Sequence, residues 1–216
     1  MRYHHNMRIV CISDTHGLHG QLRLPDGDLL ICTGDFSRRG RRVEVADFND
    51  WLGTLPHPNK VVVAGNHDFL FEQDREARTL LTHATYLEDE ECVVHGLRIY
   101  GSPWQPRFFN WAFNLDRGEP LRRVWAQIPS GIDLLLTHGP PHGVLDVTSR
   151  GLRVGCEELS RALLRIRPRA HVFGHIHEGY GQTELQHEGG AKTLCVNASS
   201  CDVRYRAVNA PLVIDL

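Results

Sequence analysis

The sequence predicts an α/β protein, and three observations support this fold class. The stretch Lys60–Asp68 combines a short β-branched run with a turn at Gly65 that presents Asn66, His67 and Asp68. Strands and helices alternate along the first half of the chain, which is typical of a parallel α/β sheet. Five predicted strands end in small and polar residues, and open α/β sheets bind ligands at the carboxyl ends of their strands.

Length and charge narrow the functional classes. The 216 residues fit one domain at 7–216, preceded by a loose polar extension at 1–6, and the sequence leaves open whether Met1 or Met7 is the natural start. A formal net charge of −2 argues against a surface for polynucleotides or membranes. The 14 histidines stand out, because histidine is the commonest metal ligand and the usual proton-transfer residue near neutral pH.

The six cysteines indicate a reducing compartment. Cys11, Cys32 and Cys195 lie inside apolar, strand-like runs, where buried and reduced thiols are expected, and no Cys-x-x-Cys pair is present. The chain shows no apolar signal segment at its start and no stretch long enough to span a membrane. We therefore expect a cytoplasmic protein.

The first half of the chain alternates strands and helices in order. Apolar and β-branched runs predict three strands, and apolar residues at helical spacing predict two helices. Pro56 and Pro58 end the first helix. The predicted elements are a strand at Met7–Ile12, a strand at Asp28–Cys32, a helix at Arg41–Leu55, a strand at Val61–Ala64 and a helix at Phe69–Leu81.

The second half begins with a different pattern. Thr85–Gly101 predicts two or three short antiparallel strands with a turn near His95, and Gly101–Gly118 predicts an ordered loop rich in aromatic residues. That loop either packs on the core or forms one wall of a cleft. The remaining predictions are helices at Pro120–Ile128 and Cys156–Ile166, strands at Ile132–Leu136 and Ala170–Phe173, and closing β-structure that includes Thr193–Asn197 and Pro211–Leu216.

Five strand ends carry the residues of a candidate site. Each has a plainer explanation alone, such as a turn, a helix cap or a hydrogen-bonded loop histidine. Five such coincidences at one sheet edge are less plausible than one shared site. The strand ends carry Asp14 and His16, then Asp35, then Asn66, His67 and Asp68, then His138, and finally His175 and His177.

The ligand types indicate a centre with two metal ions. Without His67 and Asp68, the candidate ligands are two carboxylates, one carboxamide and four imidazoles, which are too many for one tetrahedral ion. Oxygen and nitrogen ligands without thiolates suit Mn²⁺ best, with Fe or Zn²⁺ as alternatives. Asp35 stands alone at its strand end and is the expected bridge. Paired metals roughly 3.5–4 Å apart are a recurrent device for hydrolysing phosphate esters.

At this point the ordered motifs resemble the calcineurin-like metallophosphoesterase superfamily. They are Asp-x-His at 14–16, Gly-Asp at 34–35, Gly-Asn-His-Asp at 65–68, Thr-His-Gly-Pro-Pro at 137–141 and Gly-His-x-His at 174–177. The segments 101–106, 171–181 and 196–201 are also similar to its branch of metallophosphoesterase-domain-containing proteins. The resemblance implies a four-layer α/β/β/α sandwich of two mixed sheets.

The resemblance also implies roles for individual residues. Asp14, His16, Asp35 and His177 would hold one metal, and Asp35, Asn66, His138 and His175 the other. A metal-bridging hydroxide would attack phosphorus in line. His67, outside the metal ligands and oriented by Asp68, would protonate the leaving group. His142, His171 and Glu178 are candidates to support the ligating side chains from behind.

The substrate is less defined than the chemistry. The branch resembles phosphodiesterases that act on cyclic nucleotides, so a 2′,3′- or 3′,5′-cyclic nucleotide is the first expectation. Arg38, Trp104 and Phe108 are the candidate substrate contacts, although Arg38 fits a solvated basic loop better. The alternatives are a phosphomonoesterase or protein phosphatase on the same site, a nuclease, which the charge disfavours, and a non-catalytic scaffold.

Overall fold

The computed structural model describes residues 6–216, so the predicted loose extension at 1–6 lies outside the described residues except for Asn6. The strands are β1 (Arg8–Ile12), β2 (Leu29–Cys32), β3 (Asn59–Val62), β4 (Thr85–Tyr86), β5 (Glu90–Val94), β6 (Leu97–Ser102), β7 (Gln105–Pro106), β8 (Asn114–Leu115), β9 (Leu134–Thr137), β10 (Ala170–Phe173), β11 (Gly181–Gln186), β12 (Lys192–Asn197) and β13 (Leu212–Asp215). The helices are α1 (Arg42–Thr54), α2 (Phe69–Gln73), α3 (Glu119–Ala126) and α4 (Glu157–Ile166). Short 3₁₀ segments cover His19–Gln21, Arg75–Leu80 and His177–Gly179.

Two mixed sheets organise the chain. The first has the order β13-β1-β2-β3-β4 and the second β11-β12-β10-β9-β6-β5. In the first sheet β1 to β4 run parallel and β13 is antiparallel to β1. In the second, β6, β9, β10 and β12 run parallel, and the edge strands β5 and β11 are antiparallel to their neighbours.

Side-chain alternation along the strands produces three apolar cores and four layers. Ile9 and Cys11 of β1 join a core shared with Leu134 and Leu136 of β9, between the two sheets. The alternate β1 residues, Val10 and Ile12, face a second core with residues of α1 and α2. On the far side, Tyr100 and Leu135 pack with α3 and α4. The four-layer α/β/β/α sandwich is confirmed.

Three predicted elements differ from the observed ones. Thr85–Gly101 was predicted as antiparallel, but β4 at its start pairs parallel with β3 in the first sheet, and only β5 and β6 form an antiparallel pair. The predicted helix at Phe69–Leu81 is wrong at Asp74, which has extended φ and ψ of −137° and 105°. Its carboxylate accepts a hydrogen bond from the Glu76 backbone at 3.0 Å and begins a 3₁₀ segment, because Asp side chains compete for backbone donors. The predicted aromatic loop at Gly101–Gly118 contains a small parallel pair, β7 and β8. The β11 strand was predicted only as part of unspecified closing β-structure.

The two sheets meet at the carboxyl ends of their parallel strands. Ser13, after β1, forms a parallel bridge to Ser199, after β12. The Ser13 carbonyl accepts a hydrogen bond from the Ser200 backbone at 2.8 Å. The loops that follow β1, β2, β3, β9 and β10 therefore lie side by side. Among the described residues, no helix combines the length and apolar character needed to cross a membrane.

Candidate metal centre

A cavity of about 200 Å³ opens where these strand ends meet. Of the predicted metal ligands, Asp35, Asn66, His175 and His177 line it, and the buried Asp14, His16 and His138 lie directly behind them. The other lining residues are His67, Phe108, Trp111, Glu178, Val203 and Tyr205. The structure thus brings all five predicted strand ends to one place.

Four of the predicted ligands have an unusual backbone. Asp14, His16, Asp35 and His175 have φ values of 50°, 45°, 52° and 68°. Residues with a Cβ rarely adopt this left-handed region, and such residues cluster at functional sites. Here the strained turns point several polar side chains from successive strand ends towards one centre.

Asp35 is central to this arrangement. Its Oδ1 accepts a hydrogen bond from the His67 backbone at 2.7 Å. Its Oδ2 lies 3.5 Å from His138 Nε2 and 3.9 Å from the Nε2 atoms of both His16 and His67. Burial alone would raise the pKa of this carboxyl, but His138, His67 and His16 together hold the pKa below its usual range.

Asp14 forms the second buried carboxylate. Its Oδ2 accepts hydrogen bonds at 2.9 Å from the His175 backbone and from the Ser199 hydroxyl. Its Oδ1 lies 3.4 Å from His177 Nε2. Burial would raise the pKa of Asp14, but the hydrogen bond and charge of His177 hold the pKa well below its usual value.

Backbone carbonyls fix two of the imidazole rings. His138 Nδ1 donates to the Thr33 carbonyl at 2.8 Å, and His177 Nδ1 donates to the Asp202 carbonyl at 2.9 Å. A neutral ring held in this way presents an unprotonated Nε2 to the site, as metal-binding histidines commonly do. His175 favours the neutral form, because burial and the charge of His138 lower its pKa to about 3. For His177, burial would lower the pKa, but the hydrogen bond and charge of Asp14 raise it to about 9.

Nε2 of His138 and Nε2 of His177 each lie close to a second polar atom that can carry a lone pair. His138 Nε2 lies 2.9 Å from Asn66 Oδ1, and His177 Nε2 lies 3.3 Å from His16 Nε2. Lone pairs that face each other at these distances repel unless a cation or a proton lies between them. Burial would lower the pKa of His138, but Asp35 raises it to about 9, so the surroundings of this ring already favour positive charge. The donor set therefore fits bound cations.

The candidate ligand atoms form three compact groups. They are Asp14 with His16 and His177, Asp14 with Asp35 and His138, and His16 with Asp35 and His67, each with its donor atoms within 4.8 Å of one another. Asp14, His16 and Asp35 each belong to two of these groups, so the three groups form one connected cluster and the grouping alone does not distinguish Asp35 from the other two. The third group contains His67, which the sequence places outside the metal ligands.

His67 lies at the wall of the cavity, and its orientation does not come from Asp68. The His67 ring donates from Nδ1 to the Arg38 carbonyl at 2.8 Å and packs on Trp111 with the ring centres 4.1 Å apart. The fully buried Asp68 carboxylate instead accepts hydrogen bonds from the backbones of Asp35, Gly65 and Ser37 and from the Ser37 hydroxyl. Asp68 thus fixes the turns that carry Asp35 and His67.

Of the three predicted substrate contacts, only Phe108 lines the cavity. Phe108 lines the cavity and is 52% exposed. Trp104 does not line it, because its indole donates to Asp89 at 2.7 Å and its ring packs on Phe113. The exposed Arg38 donates from Nε to the His16 carbonyl at 2.8 Å, so it supports the turn after β1.

The three residues predicted to support the metal ligands, His142, His171 and Glu178, differ in their contacts with the site. His171 Nε2 lies 2.8 Å from the Thr137 hydroxyl, next to His138. Glu178 lines the cavity and accepts from the Ser149 backbone at 2.7 Å. His142 is exposed, and its carbonyl accepts from Ser160.

Comparison with known proteins shows which protein family has this sequence pattern and fold. The family model for calcineurin-like phosphoesterases matches residues 7–179. The chain belongs to the calcineurin-like phosphoesterase family. Metallophosphoesterase domain-containing protein 1 of Homo sapiens is 47% identical, over 97% of this chain and 71% of that protein. UPF0046 protein T07D4.2 of Caenorhabditis elegans is 40% identical, over 98% of this chain and 60% of that protein.

Two more distant matches concern a relative named for an activity and a solved structure with the same fold. A Synechococcus protein named "probable cyclic nucleotide phosphodiesterase" is 28% identical, over 76% of this chain and 63% of that protein. The crystal structure of the Thermus thermophilus protein TT1561 shares the fold, with a TM-score of 0.58 at 13% identity over 97% of this chain and 99% of that one. The family assignment makes the chain a metal-dependent phosphoesterase.

Sequence reasoning missed several parts of this phosphoesterase site. The carbonyls of Thr33 and Asp202, which hold His138 and His177, belong to the backbone and leave no side-chain signal. Ser199 lies in the Val-Asn-Ala-Ser-Ser-Cys segment noted for the resemblance, so a signal was present. Tyr205 lies among charged residues, with no pattern that indicates a site.

Proposed function

We propose that this phosphoesterase is a phosphodiesterase that uses two divalent cations and accepts cyclic nucleotides of the 2′,3′ or 3′,5′ type. The observation that carries the proposal is the position of Asp35. One of its oxygens lies within 3.9 Å of three imidazole Nε2 atoms. A buried carboxylate surrounded by imidazole nitrogens, which ligate metals in their neutral form, is the arrangement that a pair of bridged cations requires.

The ligands divide between two cations that share Asp35. Asp14, His16, Asp35 and His177 would hold one cation, and Asp35, Asn66, His138 and His175 the other. Mn²⁺ is the first candidate and Fe or Zn²⁺ the alternatives, because all donors are oxygen or nitrogen. When bound, the cations supply Lewis-acid stabilisation of the phosphoryl oxygens and lower the pKa of bound water.

The chain's own residues would then position the substrate and move one proton. His67 Nδ1 is held by the Arg38 carbonyl, so in the protonated ring it is Nε2 that can donate. This nitrogen lies 3.9 Å from Asp35 Oδ2, on the side of the proposed metal ligands. His67 is thus the group proposed to protonate the departing alkoxide. Packing on Trp111 restricts its rotation.

A diester is favoured over a monoester by the name of a relative, and a nucleotide substrate is supported by the aromatic wall of the cavity. The Synechococcus relative is named for cyclic nucleotides. Phe108 and Trp111 line the cavity and offer planar surfaces beside the proposed metal ligands. A polynucleotide substrate remains disfavoured, because the net charge of −2 provides little attraction for a phosphate backbone.

The thiols support a proposal for the compartment. The six cysteines are unpaired, and Cys11, Cys32, Cys156, Cys195 and Cys201 are buried. Buried free thiols are typical of proteins from reducing compartments. We therefore place the proposed reaction in the cytoplasm.

A panel of four substrates tests the proposal. Metal-stripped protein reconstituted with Mn²⁺ is given an aryl phosphodiester, an aryl phosphomonoester, 3′,5′-cyclic AMP and 2′,3′-cyclic AMP. Asp35→Asn serves as the inactive variant, and Asp26→Asn, an exposed carboxyl elsewhere, as the matched control. We expect the three diesters to be hydrolysed faster than the monoester by wild type and Asp26→Asn. A preference for the monoester would make the protein a phosphomonoesterase, and silence on all four would contradict both.

A further inference from the structure

Tyr205 has a left-handed backbone conformation, which is unusual for a large side chain. Its φ is 56°, in the left-handed region, although the residue is large and 48% exposed. Such a conformation is unfavourable for a residue with a Cβ, and persists only where neighbouring contacts enforce it. Tyr205 belongs to none of the three apolar cores of the described residues, so core packing does not explain it.

Asp202 enforces the conformation. Its carboxylate accepts hydrogen bonds from the backbones of Arg204 and Arg206 at 2.9 and 3.0 Å, and from the Arg206 guanidinium at 2.8 Å. These contacts, the Arg206 side chain first, lower the pKa of Asp202 to about 2. The Asp202 carbonyl accepts from the Tyr205 backbone at 2.9 Å and from His177 Nδ1, also at 2.9 Å. One residue therefore fixes both a proposed metal ligand and the turn that displays Tyr205.

The turn places the Tyr205 ring over the histidines of the site. Its centre lies 4.7 Å from the ring of His16, 5.6 Å from that of His177 and 6.1 Å from that of His67. The phenol oxygen has no hydrogen-bond partner within residues 6–216. The ring lines the same cavity as Phe108 and Trp111, so three aromatic side chains surround its opening.

The size of the cavity decides what those rings can contact. Its volume of about 200 Å³ is below the 300–1,000 Å³ usual for sites that enclose a whole small molecule. It has room for a phosphoryl group among the metal ligands, and the organic part of the substrate must extend into the opening. There it meets the faces of Tyr205 and Phe108, which are 48% and 52% exposed.

We propose that Tyr205 is a substrate-contacting residue that selects phosphodiesters carrying a planar aromatic group, such as a nucleobase, on the ester oxygen that does not leave. This inference rests on the proposed phosphodiesterase function and adds the residue that sets its preference. Stacking of a base on an aromatic side chain strengthens binding roughly 5- to 150-fold, whatever the base.

Two diesters with one common leaving group test the selection. Thymidine 5′-(4-nitrophenyl phosphate) and methyl 4-nitrophenyl phosphate release the same nitrophenol and differ only in the retained group. Tyr205→Asn removes the ring and keeps a residue that tolerates positive φ, whereas Tyr205→Phe keeps the ring. Val208→Ala, in the same segment, 59% exposed and outside the cavity, is the control.

We expect Tyr205→Asn to lower kcat/KM for the thymidine ester roughly tenfold, mainly through KM, because stacking is lost. The methyl ester should change less than about twofold under the same stacking argument. Tyr205→Phe and Val208→Ala should resemble wild type. An equal loss on both esters, or no loss on either, would overturn the proposal.

A binding measurement separates this inference from the proposed activity. Calorimetry with the Mn²⁺-loaded protein compares AMP with inorganic phosphate. We expect Tyr205→Asn to weaken AMP binding and leave phosphate binding and metal content unchanged. If wild type hydrolyses neither diester, the proposed function fails, yet the loss of AMP affinity alone would still support the contact. If wild type binds AMP no better than phosphate, the contact is refuted whatever the activity.

Discussion

At the scale of single residues, the site depends on where each polar atom finds its partner. The sequence identified every charged or imidazole side chain that the structure brings together at the strand ends, because each follows a recognisable strand. It could not identify the partners that orient them. Arg38 holds the His67 ring through its carbonyl, and Asp68 binds backbone amides of the neighbouring turns. Such partners depend on the path of the chain in three dimensions.

His67 allows a prediction about proton donation. We expect His67→Ala to keep both metals and to lose about 10²–10⁴ in kcat on substrates with poor leaving groups, the usual contribution of a positioned acid. Metal analysis and rates on alkyl and nitrophenyl diesters check this. His83→Ala, an exposed histidine elsewhere, is the control. Loss of metal from His67→Ala would instead make His67 a ligand, as its grouping with His16 and Asp35 allows.

His171 gives a prediction about pH. Burial lowers the pKa of this histidine to about 3, below the ordinary value of 6.5. Between the two pKa values of about 3 and 6.5, His171 binds a proton in the unfolded chain but not in the folded chain. The stability that this histidine contributes above pH 6.5 is therefore lost as the pH falls towards 3. A single group contributes a slope of at most about 1.4 kcal/mol per pH unit.

Replacement of His171 by a residue that does not titrate tests whether this histidine causes the loss of stability at low pH. His171→Gln keeps a donor for the Thr137 hydroxyl but does not titrate. Urea unfolding of the metal-free proteins between pH 7 and 4 should show wild type losing more stability than the variant, so that the gap between them narrows as the pH falls. A gap that stays constant over this range would contradict the assigned shift.

At the scale of elements, the buried parallel strands β1, β2, β3, β9 and β10 were predictable because continuous apolar runs mark such strands, whereas β7, β8 and β11 have no such run. The predicted helix after β3 was wrong at Asp74, where a side chain captures the backbone amide of Glu76. The junction between the sheets was not predictable either. Gly174, after β10, approaches the turn after β1 so closely that an added Cβ would lie 2.1 Å from Asp14 Oδ2 and 2.2 Å from Ser13 Oγ.

This close approach predicts the effect of one methyl group. We expect Gly174→Ala to displace the Asp14 carboxylate and to lose metal affinity and stability, because overpacking a filled junction typically costs about 1–3 kcal/mol. Gly20→Ala is the matched control, since an added Cβ there meets no atom within 4 Å. Metal analysis and urea unfolding compare the two variants. Equal behaviour would show that the junction is not tightly packed.

At the scale of the whole molecule, the candidate metal centre connects the two sheets. Asp14, His16 and Asp35 follow strands of the first sheet, whereas His138, His175 and His177 follow strands of the second. Because the sites exist only in the folded chain, bound metal should stabilise it by about 2.7 kcal/mol at a free concentration of one hundred times Kd. A chelator should therefore lower the Tm of wild type, and a Tm that does not respond would contradict metal binding between the sheets.

The central claim is that these strand ends form a two-metal centre with Asp35 as the shared ligand. The most direct measurement is the number of Mn²⁺ ions bound per chain, followed together with diester hydrolysis as metal is added back to stripped protein. The account predicts two ions per chain in wild type and Asp26→Asn, with hydrolysis appearing as the second ion binds, and loss of both ions and activity in Asp35→Asn. One ion per chain with full activity, or two ions retained in Asp35→Asn, would contradict it.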